Sequence, residues 1–229
     1  MESLPSTGPH YPLTRPLLLT GVAAPLLYAF TVIWGATLFP GYSHLAHPIS
    51  SLTQAGRDGA AGLVSLFVIY NVLVIVFGIS GISLSLGQRR WIASFSFLIA
   101  TGIAGLLMVP FPQDPIGAPM STSGVVHIVL AAIESFGSMG AIGAAALASR
   151  SAPGQKPMSV FSFACLAVVF VSGGLAAVGI GAGWAYAGLL ERITIGGFEL
   201  WLLVTAAMLF RRAVIAHSRF SSQPSADAA

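Results

Sequence analysis

Long apolar runs separated by short polar stretches set the pattern of this chain. Six runs are long enough to cross a bilayer, which needs roughly 20 apolar residues for about 30 Å of hydrocarbon. They fall at about Leu17–Phe39, Ala61–Leu86, Trp91–Pro110, Gly124–Ala148, Ser159–Ala182 and Ile193–Phe210. The runs are continuously apolar rather than alternating with a period of two, so they predict helices and not barrel strands. The expected fold is all-α, a polytopic bundle of six transmembrane helices. The membrane domain spans residues 17–212, between an N-terminal tail (1–16) and a C-terminal tail (213–229). The first run is longer than the apolar core of a cleavable leader, and only Arg15 precedes it as a basic residue, so it reads as a retained span.

Composition agrees. Of 229 residues, 55% are hydrophobic and 7% are charged, with a formal net charge of +3. So few charges cannot cover a water-soluble globule. A soluble enzyme, a disordered chain and a nucleic-acid binder are all excluded, and the bilayer is the expected partner. Cys165 is the one cysteine, so no intramolecular disulfide can form.

The basic residues set an expected orientation. Arg15, Arg89, Arg90, Arg150, Lys156, Arg211, Arg212 and Arg219 fall in the tails and the even-numbered connections, whereas Arg57 and Arg192 alone fall in the others. By the positive-inside rule, both termini are cytoplasmic in a prokaryotic plasma membrane. The three outward connections are then residues 40–59, 111–123 and 183–194.

Candidate chemistry collects on that outer side. The connections carry His44, His47, Ser50, Arg57, Asp58, Asp114, Glu191 and Arg192. Within the spans stand His127, Glu134 and Glu199. An acid in the membrane interior costs on the order of 2.5–3.5 kcal/mol on insertion scales, so it marks either a site or a bonded pair. His127 and Glu134 are seven residues apart and share a helix face. His127, Asp114 and Glu199 are the catalytic candidates: a histidine base, with a carboxylate to orient it or share acid–base work. His44, His47, Ser50, Asp58, Glu134, Glu191 and Arg192 would line the pocket, with Arg192 clamping an anionic headgroup. Each residue also has a plain structural reading. His127 could bond a loop carbonyl, Glu134 could be a neutral carboxyl held between helices, and Glu199 could partner an arginine. His44 and His47, spaced i, i+3, could present two metal ligands, but no third ligand is evident, and the sequence implies no particular metal or cofactor. Gly179 and Gly183, and Gly137, Gly140 and Gly143, read as close-packing positions. Trp34, Trp91, Trp184, Trp201 and Tyr42 read mostly as interfacial anchors, with Trp201 set apart as one that could lie deeper, and Pro25 reads as a kink.

Four stretches resemble a known family: FPGYSHLAHPISSL after the first span, FPQD after the third, GVVHIVLAA opening the fourth, and ERI before the last. Their order and placement are similar to the DUF998 family of small prokaryotic membrane proteins. The resemblance covers roughly residues 17–212. It implies a six-helix bundle and singles out His47, Pro48, Ile49, Ser50, Asp114, His127, Glu191 and Arg192, but it implies no reaction.

Three functional classes fit these residues. The first is an enzyme acting on a lipid or other amphiphilic small molecule at the outer leaflet. The second is a non-catalytic partner or sensor subunit. The third is a proton-coupled transporter, against which stands the lack of ionisable groups in the inner halves of the spans.

Overall fold

The computed structural model describes residues 16–85 and 87–221, with the side chains of 216–221 excepted. Arg15, Leu86 and residues 222–229, which enter the expected tails, the second span and the charge pattern, lie outside the described residues, as does the side chain of Arg219. Among the described residues, six helices are long and apolar enough to cross a membrane. They are α1 (Thr20–Leu38), α2 (Ala61–Leu84), α3 (Arg89–Leu107), α4 (Thr122–Arg150), α5 (Lys156–Gly181) and α6 (Ala187–Ser221). A short 3₁₀ turn, Ile49–Thr53, lies between α1 and α2.

Each helix packs against the next, and α1 packs against α6, which closes the six into a ring. Neighbours run antiparallel. Gly81, late in α2, faces the ring of Phe95, early in α3, while Gly102 faces Ile75. Glycine is what lets these backbones approach. Gly21 of α1 sits where three helices meet: a Cβ there would stand 2.6 Å from the Phe77 ring of α2 and 2.8 Å from Ala206 of α6. The interior holds Phe77, Phe95, Leu98, Ile142, Trp201 and Leu202, while Leu26, Phe30, Phe136, Val160 and Phe170 point outward as a lipid-facing surface would.

Several local expectations change. The last helix begins at Ala187 and not near Ile193, so Glu191 and Arg192 ride on its first turns rather than in a loop. Hydropathy missed this because both charges are held by bonds to another loop. Trp201 is fully buried and donates from Nε1 to Ser162 Oγ at 3.1 Å. Trp91 is also buried, stacked on Phe95, so neither ring is an interfacial anchor. Gly183 is not a packing position either. Its φ of 68° ends α5, with Trp184 N–H donating to the Gly179 carbonyl at 2.8 Å in a Schellman turn. Gly137 and Gly140 do pack closely, on Thr101 and Phe97. Pro25 lies buried inside α1, which continues through it.

This topology gathers the connections into two groups. Residues 39–60, 108–121 and 182–186 share one rim, opposite the rim that carries the start of α1 and residues 151–155. The loop rim holds the candidate site.

Candidate functional site

The rim is built outward from α6. Glu191 stands half-buried on the first turns of that helix, and its Oε2 accepts from the Ile49 N–H at 2.7 Å. That N–H opens the 3₁₀ turn and has no carbonyl of its own to bond, so a carboxylate is a fitting cap. One residue on, Arg192 reaches into the same loop. Nε donates to His44 Nδ1 at 3.1 Å, Nη1 donates to the His47 carbonyl at 2.9 Å and to the Gly188 carbonyl at 2.7 Å, and Nη2 donates to the Tyr42 hydroxyl. Gly188 is bare because a Cβ there would strike the His47 carbonyl. The Leu189 N–H completes the seam by donating to the Leu45 carbonyl at 2.9 Å.

The second loop joins the first. Ala55 N–H donates to the Gln113 carbonyl at 2.8 Å, and Ser50 Oγ bonds to Gln113 Oε1. The HPIS segment is therefore held on two sides, by α6 and by the FPQD segment.

The two rim histidines turn their Nδ1 atoms to different partners. His44 Nδ1 faces Arg192, and His47 Nδ1 accepts from the Ser43 N–H at 3.1 Å. Partial burial, and then the Arg192 charge, hold the His44 imidazole below its ordinary pKa, so it stays neutral and able to accept. Burial raises the Tyr42 hydroxyl against the opposing pull of Arg192. Asp58 is exposed. Among the described residues, no three of His, Cys, Asp or Glu come together as a metal-binding group.

The three catalytic candidates have separate partners. Asp114 bonds the Ser121 N–H at 2.8 Å and its hydroxyl at 2.7 Å, fixing the N-cap of α4. These bonds hold the carboxyl below the usual carboxylate range. His127, 8% exposed, bonds the Phe111 carbonyl through Nδ1 at 2.9 Å. A carbonyl only accepts, so Nδ1 carries the hydrogen and Nε2 is the acceptor of the neutral ring. Glu199 lies deeper, on α6, where Oε1 accepts from the Tyr70 hydroxyl at 2.5 Å. Glu134 stands on α4, which barely touches α6.

A cavity of about 230 Å³ opens at the rim, lined by Tyr42, His47, Ser51, Gln54, Arg57 and Ile116, among others. The Arg57 guanidinium stands 4.4 Å from the centre of the Phe39 ring. Its Nε is buried with no hydrogen-bond partner among the described residues, as is Gln54 Oε1. Sequence reasoning placed Arg57 on this side but gave it no role, and it did not select Tyr42, Gln54 or Gln113 for the site. Gln113 sits beside Asp114 in a motif already noted, so it was within reach. The deeper polar residues Tyr28 and the adjacent Tyr70 and Asn71 were passed over because they only briefly interrupt long apolar runs.

Six antiparallel helices apolar enough to span a membrane, with two loops and the first turns of α6 knitted into a polar rim, define a multi-pass membrane protein. A family model described as "Protein of unknown function (DUF998)" matches residues 22–208, and the chain belongs to that family. No curated protein and no solved structure matches it.

Proposed function

We propose that the protein binds an anionic amphiphile at the loop rim, taking the headgroup into the cavity beside Arg57. In this reading the rim faces away from the cytoplasm, as the distribution of basic residues favours, and the membrane is the prokaryotic plasma membrane. The supporting observation is the cavity itself: a cation and neutral polar groups line a pocket next to the lipid-facing helices. Arginine suits a phosphate or carboxylate headgroup because its planar donors match both oxygens of the anion. Tyr42 and His47 supply further polar contacts that orient the ligand.

Binding has more support than catalysis. His127, Asp114 and Glu199 have local partners in three different places, so no base, orienting group and nucleophile converge beside the cavity. Arg192 is turned inward to bond the first loop, which makes Arg57 the better headgroup contact.

The test is lipid binding by the full chain in nanodiscs, measured with a phosphatidylglycerol and with a phosphatidylcholine of the same tails. The anionic lipid is expected to bind at least 10-fold more tightly, and Arg57→Gln to remove most of that preference. His127→Ala is expected to leave it unchanged. Equal binding of the two lipids, or full preference in Arg57→Gln, would overturn the reading.

A further inference from the structure

A second polar group lies inside the bundle, apart from the rim cavity. Glu134 stands about three turns into α4, and Asn71 lies within α2. Both side chains face the bare Cα of Gly105 on α3. A Cβ built at position 105 would stand 2.5 Å from Glu134 Oε1 and closer still to Asn71 Oδ1. Asn71 Nδ2 stands 2.5 Å from the same point and donates to the Phe67 carbonyl at 2.9 Å, so both amide atoms face Gly105 and Oδ1 is the nearer. Asn71 is 6% exposed, and Oδ1 has no hydrogen-bond partner among the described residues.

An amide oxygen and an ionised carboxylate offer only lone pairs. Two acceptors held against one glycine repel each other unless a hydrogen or a cation stands between them, and a buried acceptor left unpaired costs about 1–3 kcal/mol. Among the described residues, the titratable groups facing Glu134 supply no positive charge. Tyr70 on α2, Tyr28 on α1 and Glu199 on α6 are its titratable neighbours, and α3 contributes Gly105 near it and, one turn earlier, Thr101 against Gly137 of α4. Glu199 is itself 8% exposed, and its Oε2 has no hydrogen-bond partner among the described residues.

We infer that Glu134 and Asn71 form a proton-binding site in the membrane interior, in which the Glu134 carboxyl carries a proton and donates it to Asn71 Oδ1. Loading the site takes one proton from water onto a Glu134 oxygen. The carboxylate becomes a neutral acid, and its new O–H bond points at the amide oxygen. The proton satisfies both oxygens at once and removes a charge from the interior. Gly105 is glycine because any side chain would fill the space in which the two meet. The site is independent of anion binding at the rim.

Infrared spectroscopy of the full chain in lipid vesicles reads this bond directly. At neutral pH the wild type is expected to show a carboxylic-acid C=O stretch that Glu134→Gln removes. Asn71→Leu is expected to shift that band to higher frequency, as a lost hydrogen bond would, while Glu199→Gln leaves it in place. Should Asn71→Leu fail to fold, thermal melting of Glu134→Gln serves as the second measurement. Its amide can donate to Asn71 Oδ1 as the acid does, so the fall in melting temperature on going to alkaline pH should shrink. An acid band unchanged in Glu134→Gln would overturn the inference. So would a band that appears only when sodium is withdrawn, which would assign the site to a metal cation, or an alkaline fall in melting as large in Glu134→Gln as in the wild type.

Discussion

Arg192 joins more of the rim than any other residue described above. One guanidinium meets a hydroxyl, an imidazole and two backbone carbonyls, and its planar fork of donors explains why lysine would not replace it. Hydrogen bonds to charged groups contribute about 1.5–3 kcal/mol each in typical cases, with partial solvation here placing them at the low end. Arg192→Ala is expected to lower the melting temperature of the purified protein by several degrees, and Arg192→Lys to restore less than half of the loss. His44 adds a pH dependence. Its folded-state pKa is depressed, so the bond it accepts from Arg192 is present at neutral pH and is lost as pH falls from the ordinary histidine range through the lowered value. In Arg192→Ala the His44 ring, followed by NMR, should titrate closer to its ordinary value. The sequence showed that Arg192 and His44 were unusual charges for such a chain, but not that they meet. They are 148 positions apart, and only the closure of α6 on α1 brings them together.

At the scale of the element, α4 shows how a short polar motif fixes a long apolar helix. Asp114 bonds both polar groups of Ser121, Ser121 Oγ accepts from the Gly124 N–H at 3.2 Å, and Ser123 Oγ bonds the Pro112 carbonyl at 2.9 Å. A Cβ at Gly124 would collide with the Asp114 carboxylate, so the glycine is part of the same arrangement. Asp114→Ala should leave the first turn of α4 frayed, seen as faster amide hydrogen exchange over residues 121–125 with later turns unchanged. In the wild type the same protection should fade in acid. Asp114 has a depressed pKa, so its contribution is present above the ordinary carboxylate range and lost as pH falls through the lowered value. The sequence made the existence of α4 plain and marked Asp114 as noteworthy. It assigned that residue to chemistry because a lone acid in an outer loop looks the same on paper whether it caps a helix or orients a base.

For the whole molecule, apolar runs were enough to predict six helices and their order, since the bilayer leaves few other ways to satisfy the backbone. The ends of the helices were less legible. Glu191 and Arg192 lowered the local hydropathy and hid the first turns of α6. The interior polar group was least legible. Tyr28, Tyr70 and Asn71 are mild interruptions in long apolar stretches, and their significance comes from facing Glu134 and Glu199 across the ring. The family match over residues 22–208 agrees with the spans and leaves the chemistry open.

The account rests on the loops after α1 and α3 folding together into one rim. Cysteines at Ala55 and Gln113, whose backbones share a 2.8 Å hydrogen bond, test this directly in a Cys165→Ala background in native membranes. Mild oxidation should link A55C to Q113C in nearly all molecules, and should leave unlinked a control pair of A55C with S151C, which the fold places on opposite rims. An unlinked A55C/Q113C pair, or a control that links equally well, would contradict the rim on which the proposed anion site depends.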